Sequence, residues 1–293
     1  MTPVLVIGKT GQMAQALALK GGNSVVCLGR PDADLTNAAS LAQALDEYKP
    51  GAVINTGAYT SVDGAESEPE AARALNVAGP EALAKACAAR DVPLIHLSTD
   101  CVFDGTKGSP YLPLDETCPI GVYGTSKRDG ELAVFAAAPR SLVVRVSWIF
   151  SRFGRTFVRV MLDLARTRET ITVVNDQFGC PTHAPDLAAA LLDMATQVSD
   201  PGFNAWGTYH LAGRGETDRA TMARKIFDYS RRNGGPVAEV VPIATSEFPT
   251  PAQRPLNARL DMSDTTRVFG LQLPPWEAGL ERTVGELVKE YFV

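Results

Sequence analysis

The stretch that most constrains this chain is Val4-Leu5-Val6-Ile7-Gly8-Lys9-Thr10-Gly11-Gln12-Met13-Ala14. An apolar run ending at a glycine reads as a strand buried on both faces of a parallel sheet, and the apolar periodicity that follows, to about residue 20, reads as a helix. Gly8-x-x-Gly11-x-x-Ala14 lies at the junction. Gly8 allows a sharp turn, Gly11 lets backbone N–H groups approach a pyrophosphate, and a small residue at 14 lets the helix pack closely on the sheet. Glycines that serve only the turn's geometry are the alternative reading.

The same alternation continues. Strand patterns fall at 24–28, 52–55, 93–97, 142–146 and 208–212. Helical patterns fall at 37–48, 66–90 with a break at Gly79-Pro80, 155–168, and from Pro185 to residue 198. This order predicts an α/β fold, a Rossmann-type doubly wound parallel sheet with a smaller C-terminal α/β substrate lobe. Residues 1–150 are expected to form the dinucleotide-binding domain, with parts of 155–212 packing back onto it. Residues 151–293 form mainly the substrate lobe, with helices at 218–232, 263–269 and 276–291 and a strand at 237–241.

Composition excludes several classes. The 293 residues carry a formal charge of −5 without a basic block, so neither a nucleic acid nor an anionic membrane is an expected partner. No apolar run reaches spanning length, and the N-terminus enters a strand without a basic leader, which predicts a cytoplasmic protein. Five scattered cysteines with no Cys-x-x-Cys, and three distant histidines, predict neither disulfides nor a metal site.

On the cofactor side, Gly29-Arg30 stands where an NAD-preferring fold usually carries an acid. An Arg there suits the 2′-phosphate of NADP, so the expectation leans to NADPH over NADH, with a solvated surface Arg as the alternative. Asp34-Leu35 is placed to border the adenine, and Thr36 or Asn37 to cap the next helix. The small residues of Thr56-Gly57-Ala58-Tyr59-Thr60 leave room at a strand's carboxyl end. Asn76, polar in apolar company, reads as a buried hydrogen-bonding residue rather than a catalyst.

The chemistry gathers at two further points. The strand at 93–97 runs into Ser98-Thr99-Asp100-Cys101, where Thr99 is placed to donate to a substrate carbonyl. Tyr123 and Lys127 then stand four residues apart, on one face of a helix. A carbonyl that accepts hydride also needs a proton. A phenol supplies it, sluggishly at its ordinary pKa of about 10, and a lysine cation one turn away is expected to lower that value and to hold a cofactor ribose. Tyr-x-x-x-Lys alone is common; the glycine turn and Thr99 before it give it weight. The loop at 105–120 is expected to be irregular and to lie over the site entrance. Residues 175–182 read as a substrate loop or a plain surface connection. The proline-rich 249–257 reads as a linker, or as a stiffened loop holding Arg254 for a phosphate.

With these residues in view, the chain resembles the extended short-chain dehydrogenase/reductase superfamily and, within it, the dTDP-4-dehydrorhamnose reductases. The matching stretches include Gly8-Lys9-Thr10-Gly11-Gln12, the run at 61–70, Ser98-Thr99-Asp100, Val102-Phe103-Asp104-Gly105, Val122-Tyr123-Gly124, Asn175-Asp176-Gln177-Phe178-Gly179 and Arg254-Pro255. The resemblance implies a catalytic set of Thr99, Tyr123 and Lys127. It implies that Gly11, Gln12, Met13, Asp34, Leu35, Ala58, Tyr59 and Thr60 line NAD(P)H, with Tyr123 and Lys127 at its ribose. Thr99, Asp100 and Trp148 would reach the sugar of a dTDP-sugar substrate, and Gln177 and Arg254 its nucleotide side. The implied reaction is reduction of the C4 keto group of dTDP-4-dehydro-L-rhamnose, with Tyr123 as proton donor.

Two departures stand out. Cys101 replaces a common aromatic. Ala16 replaces an acid of the first helix that some members use for magnesium at a dimer contact, which implies a monomer or weak homodimer without that metal. Competing readings are a reductase of another nucleotide-linked 4-keto-6-deoxy sugar, an epimerase, or a non-catalytic NADP-binding regulatory subunit like that of methionine adenosyltransferase. Dehydration is disfavoured because Asp100 is followed by Cys101 and not by Glu.

Overall fold

The computed structural model describes residues 2–291. Strand β1 (Val4–Ile7) passes through the glycine turn into α1 (Gln12–Gly21), and β2 (Val25–Leu28), α2 (Ala38–Tyr48) and β3 (Ala52–Asn55) follow. The chain continues through α3 (Val62–Ser67), α4 (Pro69–Arg73), α5 (Gly79–Ala88), β4 (Leu94–Thr99), α6 (Val122–Ala137) and β5 (Ser141–Val146). Next come β6 (Ile149–Phe150), α7 (Phe157–Ala165), β7 (Thr170–Val174), β8 (Phe178–Gly179), β9 (Thr182–His183), α8 (Ala184–Val198) and β10 (Gly207–His210). The last elements are β11 (Thr217–Asp218), α9 (Arg219–Arg232), β12 (Glu239–Ile243), β13 (Asn257–Ala258), α10 (Ser263–Phe269) and α11 (Trp276–Tyr291).

The main sheet has six strands in the order β10-β5-β4-β3-β1-β2, all parallel. Because side chains alternate along a strand, β1 sends Val6 to one face and Leu5 and Ile7 to the other. Val6 joins a core with α1 and α8 (Ala14, Leu17, Leu187, Leu191), while Leu5 and Ile7 join a core with α2 and α5 (Leu41, Leu45, Leu83). Helices on both faces are what the unbroken apolar strands require, each fully buried aliphatic side chain contributing roughly 1.5–3 kcal/mol. Residues after 146 build a further core around α7, α9, α11 and the parallel pair β7–β12 (Val158, Leu162, Ile171, Ile226, Phe227, Leu280). This arrangement is the doubly wound parallel sheet that the alternation of strand and helix predicts. Asn37 caps α2, accepting from the N–H groups of Ala39 and Ser40. Among the described residues, no helix is long and apolar enough to cross a membrane.

Two local features differ from expectation. The helical stretch before β4 breaks twice: Pro69 opens α4, and a π turn at Ala74–Ala78 joins α4 to α5. Pro80 has no N–H for the carbonyl four residues back, that of Asn76, so regular helix is interrupted there. Helix α6 crosses at this point, and Gly130 abuts the Asn76 carbonyl so closely that any Cβ would overlap it. The loop at 105–120 is irregular, and its first residue, Gly105, packs against Pro255 and Leu256. Tyr111 stacks on Phe103 with ring centroids 4.1 Å apart, exchanges backbone hydrogen bonds with Arg259 and Asp261, and shares a small core with Val102 and Leu260. Burial of these apolar groups anchors the loop, and none of its residues lines the cavities described below.

Gly130→Ala forces a methyl onto the Asn76 carbonyl and should lower the unfolding free energy by about 1–3 kcal/mol, the usual cost of overpacking. Chemical denaturation measures this; wild-type stability in the variant would contradict the close approach.

Candidate active site

In the sheet, β1 is flanked by β2 on one side and β3 on the other, so successive connections diverge at its carboxyl end. In open α/β sheets, ligands bind in the crevice that this divergence opens. Three cavities with shared walls form one trench there. The first is lined by Gly8, Lys9, Gly11, Arg30, Asp34, Leu35, Thr56, Gly57, Ala58 and Thr60. The second holds Gly11, Gln12, Met13, Ala58, Thr60, Ser98, Tyr123, Lys127 and Arg155. The third holds Gln12, Thr60, Thr99, Asp100, Cys101, Tyr123, Trp148, Gln177, Arg219 and Arg254.

The first cavity is shaped by backbone. Gly8 has φ +118°, and a Cβ there would sit 2.5 Å from Thr56 Oγ1. The turn is therefore closed to other residues. Thr56 pins the neighbouring strand end by donating from its hydroxyl to the Ile7 carbonyl at 3.0 Å. Gly11 is the N-cap of α1, and a Cβ added to it would meet nothing within 4 Å. The orphan N–H groups of the first turn of α1 thus face open space suited to an anion. Lys9 and Arg30 add two cations on this side. Arg30 was foreseeable from its place after β2. Lys9, inside the glycine turn, was missed although its position carried the signal. Tyr59 lines none of the three cavities; its backbone N–H is held by Asn76 Oδ1 at 2.9 Å and its hydroxyl donates to Glu68 at 2.5 Å.

Tyr123 and Lys127 lie one turn apart on α6, and Thr99 ends β4. The Thr99 hydroxyl donates to Asp100 Oδ1 at 2.9 Å and accepts from the Cys101 N–H at 3.1 Å. Lys127 is buried; Nζ donates to the Leu97 carbonyl at 2.7 Å and stands 3.4 Å from His96 Nε2. His96 is held in turn by Asn55 Nδ2, 3.0 Å from its Nδ1. Burial and the nearby Lys127 keep this imidazole neutral, well below its ordinary pKa. Burial also pulls Lys127 down to about 8, with Glu131 one turn further along α6 working in the opposite direction. Glu131 accepts from Arg145 Nη2 at 2.7 Å and from the Ser98 hydroxyl.

The phenol departs from the expectation of a lowered pKa. Burial first, then the neighbouring Cys101 and Asp100, push Tyr123 above its ordinary value, with the nearby Thr99 hydroxyl working in the opposite direction. The lysine ammonium is turned to the Leu97 carbonyl and His96, and desolvation sets the direction. Tyr123 is therefore a protonated acid at neutral pH.

In the third cavity, Asp100 is buried, its carboxyl is raised by burial, and Oδ2 has no hydrogen-bond partner among the described residues. Trp148 has φ +44°, a left-handed backbone that costs an aromatic residue on the order of 1–3 kcal/mol and that clusters at ligand sites. Its ring fills the space over Gly179, where any side chain would collide. Gln177 Nε2 donates to Thr245 Oγ1 at 3.1 Å, and Arg254 pairs with Asp63 at 2.8 Å. The fold thus brings Trp148, Gln177 and Arg254 together from three distant segments. It also adds Arg219, the first residue of α9, which sequence reasoning missed because nothing local marks it. Among the described residues, no three His, Cys, Asp or Glu side chains gather as a metal site.

The family model described as the RmlD substrate binding domain matches residues 1–289. The dTDP-4-dehydrorhamnose reductase of Sinorhizobium fredii (strain NBRC 101917 / NGR234) is 43% identical over 288 residues, 97% of each chain. That of Salmonella typhimurium (strain LT2) is 38% identical over 292 residues, again 97% of each. Among solved structures, the dTDP-4-dehydrorhamnose reductase of Bacillus anthracis str. Ames, in complex with NADP, superposes with a TM-score of 0.89 at 32% identity, covering 97% of this chain and 99% of that one. Likeness at this level, running from the glycine turn to the last helix and matching proteins that share one name, makes the chain a member of the dTDP-4-dehydrorhamnose reductase family.

Proposed function

We propose that this chain uses NADPH to reduce the C4 keto group of dTDP-4-dehydro-L-rhamnose, giving dTDP-L-rhamnose. The observation that carries the reading is the junction of the trench, where Tyr123 borders both the dinucleotide-shaped side and the polar side lined by Thr99, Asp100 and Trp148. Residues 1–150 hold the dinucleotide, and residues 151–293 supply mainly the sugar-nucleotide side. The strained Gly8 turn, the open N-cap at Gly11 and the cations Lys9 and Arg30 suit a dinucleotide with a 2′-phosphate. The NADP held by the Bacillus anthracis relative supports the same choice. NADH is accommodated by the same walls, without use for the two cations.

Bound NADPH supplies the hydride that reaches C4. Tyr123 gives its proton to the C4 oxygen, and solvent later restores it, so the carbonyl gains one hydride at carbon and one proton at oxygen. A reductase needs its acid protonated at the start, and burial keeps Tyr123 in that state. Lys127, on the wall of the second cavity, holds the cofactor ribose. Thr99 turns its hydroxyl proton from Asp100 Oδ1 to the C4 oxygen as the second donor, and the orphan Oδ2 of Asp100 accepts from a sugar hydroxyl. Trp148 borders the sugar, and Gln177 and Arg254 border the nucleotide side. Cys101 after Asp100 supports reduction over dehydration, since removal of water needs a second acid–base group there.

NADPH absorbance, followed as purified protein meets dTDP-4-dehydro-L-rhamnose, tests the assignment. Wild type should oxidise the cofactor, and Tyr123→Phe should lose about 10²–10⁴-fold in kcat while still binding it, the usual share of general acid catalysis. Bound cofactor without oxidation, from NADPH or NADH, would overturn the reading. The Lys127 charge predicts a pH profile. Its pKa is depressed, so the ammonium is intact below about 8 and is lost as pH rises through that value. Tyr123, shifted upward, stays protonated across the same window. The kcat/KM for NADPH should therefore fall above about pH 8 in a single titration; a profile flat well beyond that point would contradict the role given to Lys127.

A further inference from the structure

Two arginines line the sugar-side cavity, and their surroundings differ. Arg254 is already engaged. Its Nη2 donates to Asp63 Oδ2 at 2.8 Å and its Nη1 to the Ala252 carbonyl at 3.1 Å, while Asp63 Oδ1 accepts from the Ala252 N–H at 3.1 Å. One carboxylate thus neutralises Arg254 and ties the proline-rich loop to α3.

Arg219 has no such hydrogen-bonded partner. Within the described residues its guanidinium makes neither an ion pair nor a hydrogen bond. It lies over Trp148, 3.4 Å from the ring centroid, with Phe157 at 5.3 Å. Burial pulls its pKa down to about 10, with the nearby Asp100 carboxylate working in the opposite direction through space, so it is charged at neutral pH. Stacking fixes the plane of the guanidinium and leaves its N–H edges for another group. The platform is itself over-determined: a left-handed Trp148 backbone, and a ring seated where Gly179 has no side chain. A cation taken partly out of water needs a counter-charge, and none is hydrogen-bonded to it within the chain. Its two-pronged edge matches phosphate oxygens.

We propose that Arg219, held flat by Trp148, is the residue that binds the diphosphate of the sugar nucleotide, and that Arg254 serves chiefly to lock the loop at 249–257 onto Asp63. The proposal rests on the reading of this cavity as a dTDP-sugar site and names the residue that grips the part of the substrate remote from C4.

Calorimetric titration with dTDP, alongside NADPH as a check on the fold, separates the roles. Arg219→Met should weaken dTDP by roughly 10–100-fold, the range for hydrogen bonds to charged groups, with NADPH affinity unchanged. Arg219→Lys, which keeps the charge and loses the fork, should fall between the two. Added salt should weaken dTDP binding to the wild type, and Arg219→Met should flatten that dependence. Arg254→Met removes a cavity-lining cation already paired with Asp63, and should weaken dTDP by less than Arg219→Met does. Wild-type dTDP affinity in Arg219→Met, or a larger loss in Arg254→Met, would overturn the proposal. A wild-type protein that binds NADPH but not dTDP would instead strike the proposed function, and this inference with it.

Discussion

The position of the phenol depends on one buried amide. Asn76 is wholly excluded from solvent in the π turn between α4 and α5. Its Oδ1 accepts from the Tyr59 N–H at 2.9 Å, and its Nδ2 donates to the Tyr59 carbonyl at 3.0 Å and to Ser126 Oγ at 2.9 Å. Ser126 passes its own proton to the Tyr123 carbonyl at 2.7 Å. The loop after β3, which walls the dinucleotide side of the trench, is thereby splinted to the first turns of α6. Each polar group in the splint is satisfied, and leaving one unmade would cost about 1–3 kcal/mol, so the network specifies a single arrangement. Gly130 on the Asn76 carbonyl and Gly124 on the Cys101 carbonyl set how near α6 comes.

Beneath that splint, charge is arranged in layers. The Arg145–Glu131 pair is buried at the back of α6, and Glu131 lies one helical turn beyond Lys127. Lys127 in turn faces His96 and the Leu97 carbonyl. Desolvation acts on the two active groups in opposite chemical senses, keeping the phenol protonated and making the ammonium easier to deprotonate. Under the proposed function, the first effect serves the donation of a proton and the second ties activity to pH. In the third cavity, Arg254 is paired with Asp63, and Arg219 is stacked on Trp148 without an ion pair.

Much of this was legible in the sequence because the signals were local. An apolar run, two glycines and a small residue specify β1, its turn and α1 without reference to the rest of the chain. Thr99 at a strand end and Tyr123 with Lys127 at helical spacing carry their geometry with them, and even Asn76 could be read as a buried hydrogen-bonding residue. What escaped depends on distant segments meeting. Arg219 acquires its setting only because α9 begins beside a left-handed Trp148. Tyr59 belongs to a cavity-lining run, yet Glu68 and Asn76 draw it aside. Glycines and prolines in 105–120 announce irregular backbone, but the site of the loop is set by Tyr111 on Phe103. The direction of the Tyr123 shift was misjudged because spacing reveals a neighbouring lysine and not where its ammonium points.

The central claim is that the trench brings a dinucleotide's hydride to C4 of a sugar nucleotide beside Tyr123. Turnover with NADPH deuterated at the transferable position of the nicotinamide, followed by NMR of the sugar product, tests it most directly. The account predicts one deuterium at C4 of a dTDP-6-deoxyhexose and none elsewhere on the ring. Deuterium at another carbon, or product formed with the label still on the cofactor, would contradict it.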